Sequence, residues 1–175
     1  NQATNRLIPA FTQSVSEHDP MLHCLRNRYF QDSMDIFFDK NPHGTFVNFG
    51  AGFSMYPFML PASVLTIEID FAHTVAYKQE CLEKWTQEGK LPSRNIQFLS
   101  ADFNAESQED LVSKVKPLLQ GQSTFILFEG VTFFLNMPTN QKLMDVFAAL
   151  QQTGDQLGVV SYLPELETTP VYHRL

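Results

Sequence analysis

Cysteine and long apolar runs are scarce in this sequence. The two cysteines, Cys24 and Cys81, are too far apart to form a metal-binding motif, and both fall in segments with helical periodicity. A disulfide between them stays open, but two buried free thiols in a reducing compartment are the better expectation. The longest apolar runs, such as residues 125–128 and 131–135, are far too short to span a bilayer. The first residues lack the pattern of a signal peptide, so we expect a cytoplasmic protein with no membrane partner.

Basic residues are also few. Lysine and arginine number 12 against 19 acidic residues, which gives a net charge of −7. Nucleic-acid-binding domains usually carry a basic face or stripe, and the sequence shows none. We therefore expect no nucleic-acid partner, and we expect no metal site. Hydrophobic residues make up 43% of the 175 residues, which argues against a disordered chain and suits one domain.

Strand and helix patterns alternate along the chain. Short apolar runs predict buried strands, and segments with helical periodicity and clear stop signals predict the helices. The predicted strands are 45–49, 64–69, 96–99, 124–128 and 157–162, and the predicted helices are 20–40, 72–88, 107–120 and 139–153. This alternation predicts an α/β fold with a doubly wound, mostly parallel sheet of the Rossmann-like type.

The expected organisation is a single domain. A helical cap would cover residues 1–44, an α/β core 45–162 and an irregular tail 163–175. In the helix after the second strand, Val75, Leu82 and Trp85 are expected to point inward. Folds of this kind usually continue to about six or seven strands. The chain is therefore a fragment, or residues are missing, or a partner covers the open edge, which leaves a homo-oligomer open.

The first two predicted strands end in residues that suit a nucleoside ligand. In doubly wound sheets, ligands bind beyond the carboxyl ends of the strands, where the strand order reverses. After the first strand, Gly50-Ala51-Gly52 allows a tight turn and a close approach of backbone to a ligand. Asp70 ends the second strand 20 residues after Gly50, the spacing of an acidic residue that holds ribose hydroxyls. The alternatives are an ordinary turn and a solvated carboxylate.

Two further carboxylates follow the third and fourth strands. Asp102 is suited either to accept a hydrogen bond from an adenine amino group or to cap a turn. Phe103 would contribute its backbone amide or pack on the adenine ring. Glu129 follows an apolar strand, where a carboxylate is costly to bury without a cation or hydrogen bonds. Its alternative is an exposed residue at the rim of the sheet.

The acidic strand ends favour one cofactor over another. A dinucleotide site would usually have a third glycine three residues after Gly52, where the sequence has Met55. S-adenosyl-L-methionine has no phosphate, and its sulfonium and ammonium are both positive. Acidic strand ends therefore suit it better than they suit a pyrophosphate.

The chain resembles the leucine carboxyl methyltransferase family of S-adenosylmethionine-dependent O-methyltransferases. Four blocks that keep the family's order and spacing carry the likeness, and together they span roughly residues 20–160. They are LRNRYFQD (25–32), VNFGAGF (47–53), TIEIDF (66–71) and LFEGVTFFL (127–135). The resemblance implies a class I methyltransferase fold.

The resemblance also implies roles for single residues. Arg26 would pair with the methionine carboxylate of the cofactor, with Arg28 as the alternative, since a guanidinium suits a bidentate contact. Glu129 would face the methionine ammonium and Asp70 would hold the ribose. The cofactor-binding set is then Arg26, Gly50, Ala51, Gly52, Asp70, Asp102, Phe103 and Glu129.

The chain departs from the family after the first strand. Family members often have Gly-Ala-Gly-x-Asp-Thr-Arg there, whereas residues 52–56 read GFSMY, so the acidic residue, the threonine and the arginine are missing. This departure disfavours a protein-terminus carboxylate as the acceptor and favours a hydrophobic small molecule or another carboxylate. A hydroxyl acceptor would need a base, for which His73, His173 and Tyr162 are candidates, and none is assigned.

The expected function is therefore O-methylation of a carboxylate or hydroxyl on a small molecule or protein. A non-catalytic binding module of methyltransferase shape is one alternative, favoured by the missing acidic residue, threonine and arginine. A nucleotide-dependent oxidoreductase on a Rossmann fold is the other, and the missing third glycine counts against it.

Overall fold

The computed structural model describes residues 19–161 of the chain. Residues 34–160 form one compact unit, and the described residues 19–33 and 161 do not belong to it. The predicted tail, the first 18 residues, and the candidate bases Tyr162 and His173 lie outside the described residues. The division into cap, core and tail stays a prediction.

A parallel sheet forms the compact unit. Within the described residues it has five strands, in the order β3-β2-β1-β4-β5, and every neighbouring pair is parallel. The strands are β1 (Thr45–Phe49), β2 (Leu65–Asp70), β3 (Ile96–Ser100), β4 (Thr124–Phe128) and β5 (Gln156–Val159). This order confirms the doubly wound α/β fold. The strand order reverses between β1 and β4, so their carboxyl ends mark the expected ligand position.

Helices connect the strands. They are α1 (Asp19–Lys40), α2 (Tyr56–Met59), α3 (Ala72–Gln87), α4 (Gln108–Val115) and α5 (Met137–Leu150), with 3₁₀ turns at Lys116–Leu118 and Thr132–Phe134. The helix predicted over 107–120 is shorter than expected, because it tightens into a 3₁₀ turn where Pro117 supplies no amide hydrogen. Its predicted start is confirmed, since Ser107 and Asp110 form a reciprocal capping box. Helix α2 is too short to show a period and was not predicted.

The two faces of the sheet bury different side chains. On one, here called the apolar face, alternate strand residues from Val47 to Phe128 pack only hydrophobic groups against α4 and α5. The opposite one, the mixed face, carries Phe46, Asn48, Thr66, Glu68 and Phe125, because successive strand residues point to opposite sides. The end of α1 packs there through Phe37, whose ring centroid lies 5.6 Å from that of Phe125.

Two expectations about buried residues are wrong. Trp85 is 39% exposed, and the inward positions of α3 are taken by Leu82 and, one turn earlier, by Lys78. The two cysteines are free, as expected, but Cys24 is exposed and Cys81 only half-buried. Cys24 lies in the first half of α1 and Cys81 on α3, so neither belongs to the strands where the core is densest.

Candidate functional site

The loop that follows β1 holds the first group of predicted site residues. In this β1–α2 loop (residues 50–55), Gly50 and Gly52 both have positive φ, at 74° and 46°. The amides of Gly50 and Ala51 donate to the carbonyl of Ile69, at 2.8 and 3.1 Å. The loop is therefore fastened to the end of β2, and left-handed backbone at two positions makes glycine the fitting residue there.

The two glycines of the loop differ in the space that surrounds them. A Cβ added to Gly50 would lie 2.3 Å from Cγ2 of Val131, so Gly50 is required by the packing of the residue that follows β4. A Cβ added to Gly52 would meet nothing within 4 Å. The open space expected for a ligand against this turn therefore lies beside Gly52 rather than Gly50.

Asp70 lies at the carboxyl end of β2, and two backbone amides fix its orientation. Its Oδ2 accepts the amide of Gly52 at 2.8 Å, and its Oδ1 accepts the amide of Phe71 at 2.7 Å. These two hydrogen bonds fix the rotamer of the carboxylate. The structure thus brings Gly52 and Asp70 into direct contact, although 18 residues separate them in the chain.

A buried ion pair lies on the mixed face. Its carboxylate belongs to Glu68, two residues before Asp70 in β2. Nζ of Lys78 lies 2.6 Å from Oε2 of Glu68, and both side chains are at most 5% exposed. Burial raises the pKa of Glu68, and the Lys78 ammonium opposes that shift. Burial also lowers the pKa of Lys78, opposed by the Glu68 carboxylate. Desolvation therefore outweighs the attraction within the pair.

Sequence reasoning missed Lys78, although a signal for it existed. Glu68 stands between Ile67 and Ile69 in a buried strand, where an ionised carboxylate needs a partner. Lys78 precedes Leu82 by four residues and so shares its face of α3. A search for a cation on the inward face of the next helix would have found it.

Glu129, at the carboxyl end of β4, contacts Tyr56, the first residue of α2. The hydroxyl of Tyr56 donates to its Oε2 at 2.6 Å, across 73 residues of chain. Tyr56 is 6% exposed and was not predicted as a site residue, because nothing local in the sequence marks a contact of this range. Residues 50–56 therefore contact the carboxyl ends of both β2 and β4. Gly50 belongs to this segment, and Asp70 and Glu129 each accept a hydrogen bond from it.

Asp102 and Phe103 lie in the β3–α4 loop (residues 101–107). Oδ1 of Asp102 accepts the amide of Asn104 at 2.9 Å, so the residue does cap a turn. The ring of Phe103 is 6% exposed and packs 5.8 Å from that of Phe49. This burial favours the backbone amide, and not the ring, as the group of Phe103 that an adenine would meet.

The two candidate arginines lie outside the compact unit formed by residues 34–160. Arg26 and Arg28 both lie on the first half of α1, where Arg26 is half-buried and Arg28 forms an ion pair with Asp32 at 2.7 Å. The exposed pair of Arg28 contributes little to stability. The pairing of Arg26 with the cofactor carboxylate stays a prediction.

The described cavities lie away from these strand ends. One of about 330 Å³ lies against α3 and the start of β3, lined by Leu82, Arg94 and Phe98 among others. Another of about 210 Å³ lies at the loops before β1 and β4, beside His43 and Gln122.

Residues 19–161 lack two further features. In that range no cluster of three or more His, Cys, Asp or Glu side chains could hold a metal ion. Across the same range no helix combines the length and apolar character needed to cross a membrane.

Comparison with known families gives one match. The family model for leucine carboxyl methyltransferase matches residues 10–148, which is most of the chain. The chain belongs to the leucine carboxyl methyltransferase family. No curated protein matches it. The matched range contains every residue of the predicted cofactor-binding set, so the resemblance inferred from four sequence blocks is confirmed at the level of the family.

Proposed function

We propose that this leucine carboxyl methyltransferase family member binds S-adenosyl-L-methionine and methylates a carboxylate or hydroxyl oxygen on a small molecule or protein. The observation that carries the proposal is the contact between Asp70 and Gly52. A fixed carboxylate stands there beside a glycine with open space where a side chain would be. The free cysteines further support a reducing, cytoplasmic location.

The residues at the strand ends fit this cofactor. Asp70, Asp102 and Glu129 place three carboxylates after β2, β3 and β4, which favours a ligand that carries positive charge. Met55 is 36% exposed where a pyrophosphate-binding turn would have its third glycine. These features support a sulfonium nucleoside over a dinucleotide.

Asp70 can bind ribose without giving up its present contacts. Each carboxylate oxygen has two lone pairs, and each oxygen of Asp70 accepts one backbone amide. One acceptor position per oxygen remains for the two hydroxyls of a ribose. The backbone amides would keep the carboxylate in place while it binds.

Glu129 would hold the ammonium of the methionine moiety. Its Oε2 accepts the hydroxyl of Tyr56, which fixes the carboxylate at the end of β4. A carboxylate held in one rotamer loses less side-chain entropy when it pairs with a cation. Tyr56 would therefore support the site through Glu129.

When bound, the cofactor supplies an electrophilic methyl group on a sulfonium. The protein would then contribute positioning and exclusion of water. A carboxylate acceptor is ionised at neutral pH and needs no base, whereas a hydroxyl acceptor does. We assign no base: His73 is exposed and stacks on Phe71, with 5.8 Å between ring centroids.

The β1–α2 loop indicates which class of acceptor the protein would methylate. Phe53 is 64% exposed and Met55 36% exposed in the stretch where family members often have charged residues. Exposed apolar side chains favour an acceptor with an apolar body. We therefore propose a hydrophobic small molecule that carries the methylated oxygen.

Calorimetry with S-adenosylhomocysteine tests cofactor binding. The wild-type chain should bind it, and Asp70→Ala should abolish binding while the chain still folds. The variant loses the ribose contact together with the hydrogen bonds from the amides of Gly52 and Phe71. Asp145→Ala, an exposed carboxylate on α5, is the matched control and should bind like wild type. A wild type that does not bind, or an Asp70→Ala variant that binds equally well, would contradict the proposal.

Methyl transfer is tested separately. Radiolabelled S-adenosylmethionine with a cell extract should label an acceptor when the wild type is added, and not with Asp70→Ala. Cofactor binding without any labelling would support a non-catalytic binding module. Binding of NADH, followed by its fluorescence, would instead support an oxidoreductase.

A further inference from the structure

Helix α5 is fastened to the β3–α4 loop by a charged side chain that the proposed function does not use. Nζ of Lys142 donates to the carbonyl of Phe103 at 2.7 Å and to the carbonyl of Glu106 at 2.6 Å. We propose that Lys142 is a positioning residue, which holds Asp102 and Phe103 where the adenine of the cofactor binds. This inference rests on the proposed function.

The loop is built so that its carbonyls need an outside donor. The carbonyl of Asp102 accepts the amides of Ala105 and Glu106, and its side chain accepts the amide of Asn104. These bonds close a tight turn around Asp102. The carbonyls of Phe103 and Glu106 point out of that turn, and the Lys142 ammonium meets both. One cation therefore bridges the middle and the end of the turn.

The charge of Lys142 is not used to neutralise the acidic side chain of the same loop. The carboxylate of Glu106 pairs with Lys114 at 2.7 Å and accepts the amide of Asp102 at 3.1 Å. Lys142 contacts backbone instead. Hydrogen bonds from an ammonium are stronger than those between neutral groups, so Lys142 restrains the path of the backbone that carries Asp102.

Two weaker contacts keep α5 against the loop in the absence of this ammonium. The hydroxyl of Thr139 lies 3.2 Å from Oδ1 of Asn104. The ring of Phe49 packs between Phe103 and Phe147, at 5.8 and 4.8 Å between centroids. Replacement of Lys142 should therefore loosen the turn rather than unfold the chain.

The same helix follows the strand end that carries Glu129. Asn136 caps the first turn of α5 by accepting the amide of Thr139 at 2.8 Å, so α5 starts rigidly after the β4–α5 loop (residues 129–136). Helix α5 thereby links the proposed ammonium end of the cofactor site to the proposed adenine end. Among the residues that the structure describes, Lys142 makes the only charged contact between α5 and the β3–α4 loop.

A comparison of two ligands tests the inference. S-adenosylhomocysteine has an adenine amino group that can donate to Asp102, whereas S-inosylhomocysteine has an oxygen there. Calorimetry on the wild type, Lys142→Met, Lys142→Arg and Lys114→Met would give the affinity ratio of the two ligands for each. Methionine keeps the length of the stem and removes the donors, and arginine restores them. Lys114→Met removes a cation of α4 that contacts the side chain of Glu106 in the same loop but none of the loop carbonyls.

We expect the wild type to prefer S-adenosylhomocysteine and Lys142→Met to bind it about tenfold more weakly, as loss of a charge-assisted contact predicts. The preference itself should fall toward one in Lys142→Met and stay at the wild-type value in Lys142→Arg and Lys114→Met. A lower melting temperature with an unchanged ligand ratio would mean that Lys142 is only structural and would overturn the inference. A wild type that binds neither ligand would overturn the proposed function itself.

Discussion

The apolar face and the mixed face belong to the same five strands but bury different groups. On the apolar face, hydrophobic side chains of β1, β2 and β4 contact hydrophobic side chains of α4 and α5. On the mixed face, Glu68 and Lys78 are buried as an ion pair, and Asn48 donates to Ser54 at 3.0 Å. Apolar burial stabilises the fold directly, whereas buried charges stabilise it only if each keeps its partner.

The difference follows the position of the candidate site. Glu68 and Asp70 are alternate residues of β2 and so lie on the same side of the sheet. Asn48 donates a hydrogen bond to Ser54 in the β1–α2 loop, and Tyr56, which follows that loop, donates one to Glu129. The polar groups of the mixed face therefore lie under the site residues, and the apolar face supplies the rigid support.

The largest expected effect breaks the apolar face. Phe147 is fully buried and contacts the rings of Phe49 and Phe128. Phe147→Ala should lower the free energy of unfolding by about 4 kcal/mol, through lost burial and a cavity that the rigid sheet cannot close. Urea unfolding measures this. Phe134→Ala, at a side chain that is 80% exposed, is the control and should change little. Equal effects at both sites would contradict the comparison.

The next effect concerns the ion pair of the mixed face. Lys78→Met should lower the free energy of unfolding by about 3 kcal/mol, because it leaves the buried Glu68 without a counter-charge. The double variant Glu68→Leu with Lys78→Met should recover most or all of this loss, since it buries no charge. Lys84→Met, on the exposed side of α3, is the matched control. A double variant less stable than Lys78→Met would show that the pair stabilises the fold outright.

The stability of Lys78→Met should also depend on pH. The folded-state pKa of Glu68 is raised by burial, so protonation favours the folded state. The stability contributed by protonated Glu68 is present below its unfolded pKa and is lost as the pH rises through its folded pKa. Lys78→Met removes the ammonium that lowers the pKa of Glu68, so protonation stabilises the variant more than it stabilises wild type, and the deficit should shrink on acidification through that window. Unfolding curves at several pH values measure it, and a deficit that grows on acidification would contradict the assignment.

The smallest expected effect concerns the hydrogen bond between Tyr56 and Glu129. Tyr56→Phe keeps the buried ring and removes the hydrogen bond to Glu129, which should cost about 1 kcal/mol of unfolding free energy. Tyr77→Phe, at a ring that is 60% exposed, serves as the control. Because Glu129 would lose this hydrogen bond, S-adenosylhomocysteine should bind Tyr56→Phe several-fold more weakly. Unchanged stability and affinity would show that the hydroxyl has no role.

The fold was largely predictable from the sequence because its periodic signals are strong. Most of β4 is an unbroken apolar run (residues 125–128), and glycines or prolines mark most helix ends, so the alternation was visible without contacts. The predicted positions of Gly50 and Asp70 at neighbouring strand ends are also what the structure has. Apolar runs, helix stop signals and the residues that end each strand are properties of short stretches of sequence, so they can be recognised without knowledge of tertiary contacts.

The parts that failed depend on long-range contacts. Trp85 has the spacing of an inward residue, yet α3 turns Lys78 inward instead, because Glu68 of β2 requires a cation. Tyr56 and Val131 were missed because their partners are Glu129 and Gly50, far away in the sequence. A hydrophobic pattern cannot reveal such pairs, since it treats every residue without regard to what lies opposite.

The contact between Gly50 and Val131 limits how the site can change. These two residues occupy one small space between the first and fourth strands, so a larger side chain at position 50 cannot be accommodated while valine stands at 131. Trimming position 131 alone would instead open a void at the point where strand order reverses. Redesign of ligand size is thus confined to the Gly52 side of the turn, and variation at 50 and 131 has to be coupled.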